Sequence, residues 1–232
     1  MLAGRIKHVP VVDIQCDEIW GFVGMKEKAR LRKRPDEAEI GDAYCYVGLE
    51  RESKLILAWH LGRRSPVDTE EFADKLWRAT RGHFQITTDG YKPYQRALPE
   101  CLGSNIDFAV LVKHYATKDD HKYSPGEVSG VEKKTCCGNP NPDKICTSHV
   151  ERQNLTIRMQ NRRMTRLTNA FSKKWANHQA ALALHFAYYN FCRVHTTLTE
   201  KAEGVRMTPA MAAGLEDRPW TLQELVEKST QS

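Results

Sequence analysis

The sequence predicts an α/β fold with a mixed five-stranded sheet flanked by helices. Three observations carry this. Three apolar, β-branched or aromatic runs of strand length lie within the first 62 residues. Helix-like patterning first appears after residue 65, and helices and strands alternate from there. The longest helical pattern, near the C-terminal end, follows a polar stretch rich in Gly and Pro.

The elements follow in order. "VDIQCDEIWGFVG" (12–24) alternates roughly and reads as the first strand. "MKEKARLRKRPDEAEIGD" follows, a cationic run and then acids, expected as an exposed loop or long hairpin connection. "AYCYVGLE" and "KLILAWHLG" read as two more strands around a tight polar turn, giving an antiparallel meander. Residues 65–82 read as a helix with Val67, Phe72, Leu76 and Trp77 on its apolar face and acids in its first half, where the helix dipole favours them. "HFQITTDG" is a short strand ending at Asp89–Gly90, "YKPYQRAL" a helical turn, and "DFAVLVK" the fifth strand. Residues 114–147 are expected as a long irregular insertion. Helices are expected at 148–166 and 170–191, the second apolar at Phe171, Trp175, Ala181, Leu182, Leu184, Phe186 and Tyr189. Short helical pieces close the chain.

With 232 residues the chain can bury a full core. Its longest apolar stretch, "AALALHFAYYNF", is too short to span a bilayer and carries His185. The first residues lack a signal-peptide core, and seven scattered cysteines do not form a disulfide framework. The expectation is a cytoplasmic protein with no membrane association. The net charge of +6 is unevenly placed. Between Arg152 and Thr199 there is no acid, while Arg152, Arg158, Arg162, Arg163, Arg166, Lys173, Lys174 and Arg193 lie there; the other 27 basic residues nearly balance 29 acidic ones. Such a concentrated basic segment is an electrostatic footprint for a polyanion.

One carboxylate, Glu151, heads this basic tract. Two others occupy costly or unusual places: Asp17 inside the first strand, and Asp89 at the end of the fourth. If those strands are neighbours, the two aspartates share one region of the sheet, and Glu151 on a helix laid against it completes a three-carboxylate cluster. Converging carboxylates repel unless cations are bound, and oxygen-rich sites suit two Mg²⁺ or Mn²⁺ ions, the apparatus of phosphoryl transfer. Plainer readings stand beside this one. Glu151 can be a helix-start acid paired with Arg152 or Arg158, Asp89–Gly90 a simple turn, and Asp17 the partner of a lysine, with Asp13 competing for its role.

The motifs "CDEIWGFVG", "TTDGYKPY", "TSHVERQNLTIRMQNRRMTRLTNAFSKKW", "YYNFCRVHTTL" and "TPAMAAG" resemble the DDE transposases of bacterial insertion sequences, of the insertion-sequence-one type. The resemblance spans about 12–215. It implies a ribonuclease-H-like catalytic domain (1–215, with a short helical tail at 216–232). It also implies Mg²⁺-dependent cleavage at transposon ends, and strand transfer of the resulting 3′-hydroxyl into target DNA. It assigns Asp17, Asp89 and Glu151 as catalytic and metal-holding, and matches a pattern at Tyr189, Asn190, Arg193, His195 and Thr208–Pro209. Arg152, Arg158, Arg162, Arg163, Lys173, Lys174, Arg193 and His195 are the expected DNA contacts, with helix-end capping the plainer role for His195. Partners implied are DNA, a second copy of the chain, and a separate end-recognition protein or domain, because few residues precede Asp17. Alternatives are a structure-selective nuclease of the same fold and a non-catalytic, regulatory DNA-binding remnant. Cys136, Cys137, Cys146 and His149 could in principle hold zinc, but the adjacent cysteines are poor geometry and free thiols are expected.

Overall fold

The computed structural model describes residues 4–115 and 128–230. In chain order the elements are β1 (Val9–Pro10), β2 (Asp13–Val23), α1 (Glu27–Lys33), β3 (Gly41–Glu50), β4 (Ile56–Gly62), α2 (Pro66–Ala79), β5 (Thr80–Arg81) and β6 (Phe84–Thr88). Then come α3 (Tyr94–Leu102), β7 (Ile106–Tyr115), β8 (Val128–Cys137), α4 (Ser148–Gln160), α5 (Trp175–Phe191), α6 (Thr196–Lys201), α7 (Pro209–Ala212) and α8 (Leu222–Thr230). β1 and β5 form a short parallel pair. The main sheet has six strands in the order β4-β3-β2-β6-β7-β8. The β2–β3–β4 meander is antiparallel, β2–β6–β7 run parallel, and β8 closes the edge antiparallel to β7. This is the mixed α/β sheet flanked by helices that the ribonuclease-H-like reading requires.

Both sheet faces are covered. On one, Ile14, Cys16 and Tyr46 pack with Phe72 and Leu76 of α2 and with Tyr94 and Leu98 of α3. On the other, Ile19, Val47, Leu49 and Ile56 pack with Val150 and Ile157 of α4 and with Leu182, Phe186 and Tyr189 of α5. Asn190 fastens α5 to the sheet. Its side chain accepts from the Ile56 amide at 3.0 Å and donates to the Ile56 carbonyl at 2.9 Å, replacing the ladder bonds an edge strand lacks.

Several expectations need correction. The sheet has six strands, because the segment expected to be irregular supplies β8; residues 116–127 of that segment lie outside the described residues. β8 is mostly exposed and polar, so no hydrophobic period marks it. The cationic run after β2 contains helix α1 rather than a loop, with no buried residue; it is held at its start by the Glu27 amide donating to Asp42 and by the Glu27–Arg30 ion pair. α4 stops at Gln160, where the Asn161 side chain accepts from the Arg163 amide and turns the backbone out of the helix. α5 starts at Trp175 because Ser172 pairs with the end of β2, its carbonyl accepting from the Gly24 amide at 2.7 Å. α2 buries Thr69, Phe72, Ala73, Leu76 and Ala79. Val67 and Trp77 sit five residues from Phe72 and fall off that stripe, 65% and 51% exposed. Leu184 of α5 is likewise exposed.

Candidate active site

β2 and β6 are parallel neighbours with Cys16 opposite Thr88, so the next residue along each strand is an aspartate and the two meet where β6 ends, in the middle of the sheet. Asp17 is fixed by two donors: the Glu18 amide to Oδ1 and the Asn154 side chain of α4 to Oδ2, each at 2.8 Å. Asp89 accepts from the Tyr91 amide at 3.0 Å, so Asp89–Gly90 is a turn as well as a site position. Asp17 does not pair with a lysine; it is Asp13 that is consumed in an ion pair, with Arg51 at 3.0 Å.

Glu151 sits one turn into α4, and α4 is positioned by Gln15. That fully buried strand side chain accepts from the amides of His149 and Val150 at 2.9 and 3.1 Å, satisfying two of the free donors at the helix start. Asp17, Asp89 and Glu151 line one cleft of about 680 Å³, with Arg64, Tyr91, Lys113 and Thr147. The structure thus brings the three sequence-derived acids to a common cavity. Glu151 is engaged there by Lys113 in an ion pair and by the Thr147 hydroxyl at 2.6 Å, not by Arg152 or Arg158.

A fourth acid, Glu18, joins them. Asp17, Glu18 and Asp89 each place one carboxylate oxygen within 4.8 Å of the others, the tight acidic cluster among the described residues. Strand alternation sends Glu18 to the face opposite Asp17, which is why sequence reasoning passes over it. The doublet "DE" was the available signal. The Glu18 side chain is 3% exposed; Oε1 accepts from Arg64 at 2.6 Å, and Oε2 is buried with no partner. Burial, and then the charge of Asp89, push Asp17 up to about 7 and Glu18 up to about 8. Burial also raises Asp89. Buried carboxylates that raise one another and leave an oxygen unsatisfied have the donor chemistry of a hard divalent-cation site.

The expected DNA contacts divide by position. Arg152, Arg193 and His195 line a second cleft, on the far side of α4 from Glu151. Arg162 and Arg163 line a third, open hollow beside α5, where Arg163 also donates to Ser172 at 3.2 Å. Lys173 and Lys174 are exposed, Lys173 lying over the Phe171 ring. Arg158 departs from expectation. Its guanidinium is half-buried and donates to the backbone carbonyls of Met164 and Trp20 at 2.7 and 3.1 Å, so it ties α4 to β2 rather than facing a phosphate. That burial brings it down to about 10. His195 stands at the start of α6 without a side-chain capping bond. Thr208 caps α7, followed by Pro209. Of the four residues weighed for zinc, Cys146 accepts from Gln15 and His149 meets Lys54 at 3.3 Å.

No protein-family model matches the sequence, and no curated protein does. Among solved structures the chain is similar in backbone to a piggyBac transposase in a synaptic complex with hairpin DNA, at 11% identity and a TM-score of 0.41. The match covers 95% of this chain and 57% of that one, so the chain spans little more than half the length of that structure.

Proposed function

We propose that the chain is a DNA transposase of the insertion-sequence-one type, which cleaves at element ends and joins the freed 3′-hydroxyl to target DNA. The observation that carries this reading is the convergence of Asp17, Glu18 and Asp89 where β6 ends beside β2, with Glu151 lining the same cleft. Asp17 and Asp89 are the residues that would hold divalent cations, with Glu151 as the third ligand of the resemblance and Glu18 as a further carboxylate within reach. The unsatisfied oxygen of Glu18 and the raised acids fit such cations. Two bound ions would supply activation of the attacking oxygen and neutralise charge at the leaving one.

The chain's own residues do the rest. Asn154 and the Glu18 amide hold Asp17 in one rotamer, so the site is preorganised. Lys113 and Arg64 neutralise Glu151 and Glu18 and, standing at the cleft wall, can turn toward a phosphodiester entering it. The exposed cations after Glu151 extend the positive surface along which DNA is held.

The test is cleavage and joining of duplexes carrying the sequences that flank the gene, with Mn²⁺ or Mg²⁺, beside Asp17→Asn and Glu151→Gln. Metal-dependent nicking and joined products, lost in both variants, support the reading. Cutting without joining indicates a nuclease, and binding without cutting a non-catalytic DNA-binding protein.

A further inference from the structure

The second cleft, on the opposite side of α4, has its own chemistry. It encloses about 380 Å³ between α4, the end of α5 and the β3–β4 turn. Lys54, His149, Arg152, Arg193 and His195 line it, and among the described residues no carboxylate does. Two of its nitrogens, Arg193 Nη1 and His195 Nδ1, are buried with no hydrogen-bond partner. A buried donor left unpaired costs about 1–3 kcal/mol, so Arg193 Nη1 marks a place short of an acceptor, with the unpartnered His195 ring beside it. Lys54, a non-glycine residue at φ 61, lines the cleft, and its Nζ donates to the Arg51 carbonyl at 2.5 Å and meets His149 Nδ1 at 3.3 Å. At the β3–β4 turn, Glu52 pairs with Lys201 and Glu50 accepts from Ser53. Burial, and then the positive charge of Lys54, hold His195 below its ordinary range.

We propose that this cleft is a phosphate seat, which grips one backbone phosphodiester of duplex DNA through Lys54, Arg152, Arg193 and His195 while the scissile bond lies over the acidic cleft. Adjacent residues of one helix then face the two clefts, Glu151 the acidic one and Arg152 the basic one, so α4 is a wall over which the DNA strand passes. The DNA source of the phosphate rests on the transposase reading; the anion chemistry of the cleft does not.

The test compares Lys54→Asn/Arg152→Gln with wild type. Asparagine tolerates positive φ and glutamine keeps the helix, so the fold is preserved. The readout is the dependence of duplex affinity on salt, measured by fluorescence anisotropy, where each phosphate contact contributes a slope of about 0.9 in log K against log salt. The slope is expected to fall by about one in the double variant, and to stay unchanged in Arg96→Gln, a cation of equal charge on α3. Imidazole ¹⁵N shifts of His149 and His195 are followed in the same proteins during titration with duplex and, separately, with inorganic phosphate. Shifts with duplex and the lowered slope support the seat. An unchanged slope, or shifts with inorganic phosphate but not with duplex, overturns it. Asp17→Asn separates the readings: a wild-type slope with cleavage lost leaves the seat standing, whereas cleavage without any effect of the double variant removes the seat alone.

Discussion

Replacing Asp17 by asparagine should stabilise the metal-free protein while abolishing its chemistry. Burial and the Asp89 charge push the Asp17 carboxyl from 3.8 up to about 7. A carboxyl raised in this way binds a proton on folding. Its stabilising contribution is complete below the unfolded value and is lost as pH rises through the folded one. From pH 4 to 8 the wild type therefore loses stability at this position, by at most about 4 kcal/mol for a rise of three units. Asparagine never ionises, but it turns an amide toward Asn154 in place of an acceptor, and the neighbouring acids readjust. The net gain at pH 8 without metal is about 2 kcal/mol, or about 4–8 °C in melting temperature for a chain this long. Thermal unfolding followed by circular dichroism in EDTA, at pH 5 and pH 8, measures it. The gap should be wide at pH 8 and largely closed at pH 5. Adding Mn²⁺ at pH 8 should reverse the order, because only the wild type gains from binding. A variant that melts below wild type at pH 8 in EDTA, or a gap independent of pH, would refute the reasoning.

Other outcomes follow from neighbouring contacts. Asn190→Ala removes both bonds to Ile56 and leaves a buried amide and carbonyl unpaired, lowering stability by about 2–4 kcal/mol in urea unfolding. Gln15→Leu strips the start of α4 of two acceptor contacts; it should cost about 2–3 kcal/mol and reduce metal-dependent cleavage, while Asp13→Asn, outside the cleft, should leave cleavage intact. Lys113→Gln frees Glu151 from a partly exposed ion pair, so half-maximal stabilisation by Mn²⁺ should occur at a concentration lower by a factor of about two to five, read in thermal shift. Gly24→Ala should destabilise, since φ is 71 and a Cβ would lie 2.9 Å from Ile40 Cγ2; the melting temperature checks it.

How much was legible varies with the physics of each element. β2, β3 and β4 announced themselves because runs of apolar, β-branched and aromatic residues mark strands whose two faces are both covered. β8 did not, because an exposed edge strand needs no apolar period. α1 was hidden in a cationic run, since nothing on it is buried. Asp17 and Asp89 stood out as acids at improbable places in strands. Glu18 did not, because alternation predicts where a Cβ points and not where a long side chain ends. Arg158 looked like its neighbours in the sequence; only the carbonyls of Trp20 and Met164 distinguish a structural tie from a surface charge. The separation of the basic residues into distinct clefts depends on helix rotation and the packing of α5, which charge counting does not see.

The parallel pairing of β2 with β6 has a consequence for the nascent chain. Asp17 and Asp89 reach each other only after the meander and α2 lie between them in sequence, and Glu151 and Asn154 arrive later still. Contacts so distant along the chain form late, after the entropy of closing long loops has been met by burial elsewhere. A partly synthesised or partly folded molecule therefore carries its acids apart. On the proposed reading, competence to cut would arise only once α4 has docked on the sheet, and a product truncated before α4 would lack both the third acid and the basic tract that follows it.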